Sequence, residues 1–216
     1  MAISYAITVC NEFIEIQRLL TFLTQNIRKD DEIVVLLDLT KNTPTTELVA
    51  YLHKLSSTNQ ITLVEDNFNN HFADWKNKLT KACTKEFIYQ IDADEMIDLE
   101  ILEFLPQILD DNDVDAYLVP RINTVEGITQ EHIQRWGWRV DNKNRINFPD
   151  PQMRIYRNNG KIKWKNKVHE ILTGYKTLAN LPTDKVFCLL HNKTINKQLK
   201  QVKLYQNIDK NVKEKI

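Results

Sequence analysis

The sequence predicts an α/β protein: an open, mainly parallel twisted sheet flanked by helices, with a mixed or antiparallel C-terminal extension and a terminal amphipathic helix. Three observations carry that reading. Over the first half of the chain, short apolar runs alternate with stretches of helical periodicity. Polar residues follow each run at its carboxyl end, where open α/β sheets bind their ligands. After Asp115 the alternation ceases, so the second half must extend the sheet in another way. A chain of 216 residues, 42% of them hydrophobic, suits one domain with a sizeable core.

Residues 3–9 read as the first core strand, and the next stretch sets Phe13, Ile16, Leu19, Leu20, Leu23 and Ile27 on one helical face. Residues 33–37 are a continuous apolar run of the fully buried strand type, ending at Asp38. Thr43-Pro44 is the expected opening of a second helix, threonine as N-cap and proline at the first helical position, with Leu48, Leu52 and Leu55 as its stripe. A third strand is expected at 61–64, a third helix carries Phe72, Trp75, Leu79 and Ala82, and a fourth strand at 87–91 stops at Asp92. Asp98 can cap a helix running through Leu109. Four such units with short loops imply parallel strands, right-handed crossovers and helices on both faces. Further strands are expected at 117–122, 153–156, 162–164 and 186–190, with 127–150 as a lid or acceptor loop and 195–216 as a basic amphipathic helix.

Several function classes are excluded. The four glycines lie at 127, 137, 160 and 174, so the first strand-helix turns hold no Gly-rich phosphate cradle of the dinucleotide or P-loop kind. Lys plus Arg (29) equals Asp plus Glu (29), so nucleic acid is not an expected partner. No apolar run approaches the roughly 20 residues of a membrane-spanning helix. Residues 1–10 lack a basic leader and a small-residue cleavage site, and Cys10, Cys83 and Cys188 are odd in number and widely spaced. A cytoplasmic protein with reduced thiols is expected, with peripheral contact to an anionic membrane through residues 195–216 as a second role for the lysine-rich helix.

The polar residues at the strand ends are Asn11-Glu12, Asp38, Asp66-Asn67 and Asp92-Ala93-Asp94-Glu95. Two carboxylates one residue apart at a strand end can present oxygens to a hard cation that also holds phosphate oxygens. His191 is expected just past the apolar run 186–190. Glu170 lies beside His169, with Trp164 and Leu172 near in sequence as an apolar wall. Trp136, Trp138 and Trp164 are large flat aromatics, the first two flanked by polar residues.

Taken in order, these motifs resemble those of family 2 inverting glycosyltransferases of GT-A fold, in a branch with D-A-D-E and V-H-E motifs. The likeness spans residues 3–192. By that resemblance, Thr8, Cys10, Asn11 and Glu12 form the first strand end beside the nucleobase, and Asp38 binds the uracil ring. The segment 72–77 resembles a helix bearing an Arg-Asn pair, with Lys76 where arginine is usual. Asp92, Ala93 and Asp94 form the metal motif, Asp92 nearer the ribose. Arg154 falls in the later Pro151-to-Arg157 landmark, followed by Val168-His169-Glu170. The resemblance implies a nucleotide-sugar donor, UDP-linked by the Asp38 match. It also implies Mn2+ or Mg2+ held by Asp94, Asp92 and His191, and an acceptor hydroxyl on a glycan, a lipid-linked sugar or a protein. Glu170, His169 and Asp150 are then the catalytic candidates, with Glu170 as general base and Asp150 and then Asp141 as its alternatives, and Trp136, Trp138 and Trp164 offer flat faces to the sugar ring. Residues 1–115 become the nucleotide-sugar half and 116–192 the acceptor half of a single domain, with 193–216 as an appended helix. Two alternatives stand beside it. A sugar nucleotidyltransferase would need a Gly-rich basic loop after the first strand, which Val9 to Phe13 lacks; a degenerate, non-catalytic module would be marked by eroded motifs, of which Lys76 is one.

Overall fold

The computed structural model describes residues 1–40 and 44–210. In chain order its first half comprises β1 (Ile3–Val9), α1 (Phe13–Asn26), β2 (Glu32–Asp38), α2 (Thr46–Ser57), β3 (Thr62–Asp66), α3 (Phe72–Ala82), β4 (Phe87–Asp92), β5 (Glu95–Met96) and α4 (Leu99–Asp111). The second half comprises β6 (Ala116–Val119), β7 (Arg121–Glu126), α5 (Gln130–Trp136), β8 (Gln152–Arg157), β9 (Lys163–Lys165), β10 (Ile171–Thr173), β11 (Leu178–Asn180), β12 (Leu189–Thr194) and α6 (Ile195–Ile208).

The main sheet has seven strands in the order β11-β6-β8-β4-β1-β2-β3. Strands β1 to β4 are mutually parallel, as the βα alternation requires, and β8 enters antiparallel between β4 and β6. Alternate side chains point to opposite faces of a strand. Ile3, Tyr5, Ile7, Ile33, Val35 and Leu37 therefore pack beneath α1, α2 and α4, while Ala6, Val34, Leu36 and Ile88 pack against α3 on the other face. Both faces are covered, which is why these strands read as near-continuous apolar runs.

Three boundaries differ from the sequence expectation. Helix α2 opens later than Thr43-Pro44: Thr45 is the N-cap and accepts from Leu48 N at 3.2 Å, while Thr43 lies outside the described residues. The expected strand 117–122 is divided at Pro120, which has no N–H to continue a ladder. Strand β6 stays in the main sheet and β7 joins a second sheet, β5-β12-β7. The run 186–190 is not one strand, because Lys185–Phe187 is a 3-10 turn and β12 begins at Leu189, so His191 sits within a strand rather than after it.

The segment 127–150 holds a helix rather than a bare loop, and its tryptophans are not sugar platforms on a surface. Trp136 and Trp138, 4% and 9% exposed, form a small core with Val125, Ile146 and Val202 of α6. Trp164, expected as a third platform, is also buried, at 4%. Ile195 and Leu199 pack against the Trp136 cluster as well, and Lys197 pairs with Glu15 of α1. The apolar stripe of α6 thus faces the domain; the helix ends at Ile208, where Asp209 turns extended, short of the expected 216, and residues 211–216 lie outside the described residues. No helix among the described residues is long and apolar enough to cross a membrane.

Candidate active site

The carboxyl ends of β1, β2 and β4 converge, because Thr8 is in register with both Leu36 and Asp92. Past β1 the chain turns into α1, and the Glu12 carboxylate folds back to accept from Cys10 N at 2.9 Å and Asn11 N at 3.0 Å. Asp38, 6% exposed, accepts through Oδ1 from Thr40 N (2.7 Å), Thr40 Oγ1 (2.5 Å) and Phe68 N (3.1 Å). It thereby ties the end of β2 to the loop after β3. Both acids therefore shape the backbone at these strand ends.

Beyond β4 the chain turns at Ala93-Asp94 and resumes in β5. Glu95, fully buried, accepts from Asp92 N at 3.0 Å and from Arg154 and Arg121 at 2.8 and 3.1 Å. Arg154 Nη2 also donates to Asp92 Oδ2 at 2.7 Å. Burial opposes the charge on Asp92, but Arg154, Lys76 and Arg121 outweigh it and hold its carboxyl well below the usual range. The sequence expectation placed Asp92 and Asp94 together on one cation with His191. The structure separates them: the turn directs Asp92 to Arg154, and Asp94 Oδ2 to His191 Nε2 at 3.4 Å.

His191 comes from the second sheet. In register it lies between Glu95 of β5 and Asn123 of β7, and its Nδ1 is 2.7 Å from Asn123 Oδ1. Burial pushes the imidazole below its ordinary value despite Asp94, and Lys193 adds to the shift. Asp94 is held low because the hydrogen bond and charge of His191 overcome its burial. Asp150, the alternative base, has its carboxylate engaged on both oxygens: Arg121 and Asn123 bind Oδ2 at 2.9 and 2.5 Å, and Gln152 binds Oδ1 at 2.9 Å. Asp141, the third choice, is bound by Arg145 at 2.7 Å. No group of three or more His, Cys, Asp or Glu side chains able to hold a metal occurs among the described residues.

Glu170 is positioned by the hairpin of β9 and β10. The first N–H groups of a helix have no partner within it, and at α3 they are satisfied by this hairpin: Phe72 N donates to Lys167 O at 2.9 Å and Ala73 N to Asn166 O at 3.3 Å. One turn along, Asn77 grips Trp164 through both its backbone N and O, each at 2.9 Å. That clamp brings Lys76 Nζ to 2.5 Å from Glu170 Oε1 and to 4.6 Å from the centre of the Trp164 ring. Lys76 is 5% exposed, and lysine is buried to that degree only when paired. His169 stacks edge-on against Tyr205 of α6, at 5.6 Å between ring centres.

Arg121, Asn123, Glu95, Lys193 and Tyr205 are site residues to which the sequence assigned no role. Glu95 closes the D-A-D-E motif, and Arg121 is the first basic residue after Asp92. For the other three no local pattern existed, since strand pairing and the docking of α6 bring them in.

The family model described as "Glycosyl transferase family 2" matches residues 4–197. Among curated proteins none matches. Of solved structures, S. aureus TarS 1-349 is similar with a TM-score of 0.62 and 16% identity, covering 99% of this chain and 67% of that one. TarS 1-349 in complex with UDP-GlcNAc gives a TM-score of 0.62 at 16% identity, over 99% of this chain and 68% of that one. Against the longer S. aureus TarS the TM-score is 0.61 at 16% identity; 99% of this chain is covered, and it spans 41% of that protein's length. With its mostly parallel sheet flanked by helices and the match over most of its length, the chain belongs to glycosyl transferase family 2.

Proposed function

We propose that this domain is an inverting, divalent-metal-dependent transferase that moves a sugar from a UDP-sugar to a hydroxyl of a glycan, lipid-linked sugar or protein. The observation that carries the reading is two differently equipped groups close enough to share one field: Asp94 facing His191, and Glu170 held by Lys76. The two sides share one field, since Lys76 is among the charges that lower Asp92 and Tyr205 is raised by burial and then by both Glu170 and Asp92. Thr8, Cys10, Asn11, Glu12 and Asp38 shape the nucleoside end. Ala93 carries the turn to Asp94, and Arg154 keeps Asp92 ionised beside it.

Asp94 and His191, one carboxylate oxygen and one imidazole nitrogen, are the residues that would hold Mn2+ or Mg2+. When bound, such an ion would supply positive charge towards the departing diphosphate. Asp92, committed to Arg154, belongs to the donor side rather than to the ligand set. Glu170 takes the proton of the acceptor hydroxyl as that oxygen attacks the anomeric carbon, and the bond to the diphosphate breaks on the opposite face. Lys76 and the hairpin fix the carboxylate's position; His169 orients the loop at φ 52°. Asp150, with both oxygens engaged, positions Asn123 and Arg121.

Thermal-shift measurements with UDP-, GDP-, dTDP- and CMP-sugars, each with Mn2+ or with chelator, test the donor reading. A shift with UDP-sugar that needs Mn2+ and is lost in Asp94→Ala is expected; an equal shift in chelator, or a preference for GDP, overturns the corresponding part. Glu170→Gln should retain that shift while transfer falls by about two to four powers of ten. Near-normal transfer by Glu170→Gln would remove it as the base.

A further inference from the structure

Tyr205, supplied by the C-terminal helix α6, stands beside the proposed base without a part in its chemistry. We propose that Tyr205 is a specificity-determining residue whose hydroxyl donates a hydrogen bond to an oxygen of the sugar being transferred. The inference deepens the sugar-donor reading above and rests on it.

Packing fixes where the ring stands. It meets Phe72 and His169 edge-on, each at 5.6 Å between ring centres. Phe72 opens α3 one turn before Lys76, and His169 precedes Glu170, so both neighbours of the ring lead directly to the pair of Lys76 and Glu170. Tyr205 keeps part of its surface open to solvent, where a ligand can reach it. Its helix is anchored independently of the site, through Val202 in the Trp136 core.

A chain of hydrogen bonds decides what the hydroxyl can do. Lys193 Nζ donates to Gln201 Oε1 at 2.5 Å, and Gln201 Nε2 meets the Tyr205 hydroxyl at 2.8 Å. Gln201 and Tyr205 are four positions apart and share one face of α6. An amide nitrogen only donates, so the phenol oxygen accepts from Gln201 and its own hydrogen is free to be given elsewhere. Among the described residues Gln201 is the one hydrogen-bond partner of this hydroxyl. Burial, then the charge of Glu170 and then that of Asp92 raise the hydroxyl, so it keeps its hydrogen. In an inverting displacement the moving sugar lies between the departing group and the base. A hydroxyl that senses both Asp92, on the donor side, and Glu170 therefore borders that sugar, whose oxygens accept hydrogen bonds.

Calorimetric titration of the full chain with UDP, UDP-glucose and UDP-GlcNAc, each with Mn2+, tests the proposal. Wild-type protein should bind at least one of these UDP-sugars more tightly than UDP. Tyr205→Phe keeps the ring and its packing, so it should bind UDP as the wild type does while the preferred UDP-sugar binds about 3- to 10-fold more weakly, the worth of one neutral hydrogen bond. Gln201→Glu puts an acceptor where the amide donated and draws the tyrosine hydrogen to itself, so it should produce the same loss with the hydroxyl still present. A loss below about threefold in either folded variant overturns the proposal, as does an equal loss of UDP affinity, which makes Tyr205 a support of the fold or of the nucleotide. Wild-type protein that binds UDP at least as tightly as both UDP-sugars overturns it without any variant. Wild-type protein that binds none of these ligands overturns the UDP-sugar reading itself, a result distinct from every outcome that turns on Tyr205.

Discussion

Lys76 occupies the position where the resembling family carries arginine, and its surroundings show why a lysine serves. The ammonium is a compact charge that fits between the Trp164 face and Glu170, where a planar guanidinium would need a wider slot. Lys76→Met strands Glu170, 15% exposed at its side chain, without its counter-ion. Breaking such a pair costs on the order of 3–5 kcal/mol, which for a domain of this size is a melting-temperature drop of about 10 °C. The double variant Lys76→Met with Glu170→Gln leaves no charge unpaired and should recover most of that loss in a calorimetric melt, while transfer stays abolished. Equal melting temperatures for the single and double variants would show that the pair is not coupled. The residue identities here were legible, since Lys76 stands in the 72–77 segment and Glu170 in the V-H-E motif. Their contact was not, because 94 positions of chain separate Lys76 from Glu170 and only folding closes that distance.

At the scale of elements, the hairpin of β9 and β10 is held to α3 by few bonds, and those bonds position the proposed base. Asn77→Ala removes both bonds to the Trp164 backbone and leaves a buried N–H and C=O without partners, at about 1–3 kcal/mol each. Hydrogen exchange should quicken at the hairpin amides before it quickens in β1 or β4, and transfer should fall with donor binding unaffected. Uniform acceleration across the sheet would instead make Asn77 a general core residue. Gly174 closes the same hairpin at φ 88°, where an added Cβ would lie 2.3 Å from Lys161 O. Gly174→Ala should therefore lower the melting temperature and the transfer rate together, whereas the same change at Gly137, φ 63° with open space around it, should meet strain alone. The elements themselves were largely readable: β1, β2, β4 and α4 coincide with their apolar runs and caps to within a residue or two. The exceptions have local causes, Pro120 dividing β6 from β7 and Thr45 displacing the expected cap of α2.

For the molecule as a whole, the buried ion network sets a pH dependence. Asp92 lies well below its ordinary value when folded because Arg154, Lys76 and Arg121 outweigh its burial. A carboxyl lowered on folding contributes stability above its unfolded value of about 3.9, and that contribution fades as pH falls below it towards the folded value. Wild-type protein should lose melting temperature steeply below about pH 4. The gap between it and Asp92→Asn, wide at neutral pH, should narrow over the same interval. A gap that is constant from neutral to acid pH would mean that Asp92 adds no charge-dependent stability.

The fold class, the parallel order of the first four strands and the chemistry at their ends are all written in the order of amino acids. They depend on period, burial and turn residues, which act over a few positions. Which acid meets which base is a different matter, settled by contacts between distant parts of the chain. The turn at Ala93-Asp94 sends Asp92 to Arg154 and Asp94 to His191, and the β5-β12-β7 sheet sets Asn123 beside a histidine 68 residues away. The same contacts make Trp136 and Trp138 fill a core and close α6 over them. Such pairings arise from strand register and helix docking, long-range consequences of burying apolar area, and no local pattern in the chain specifies them.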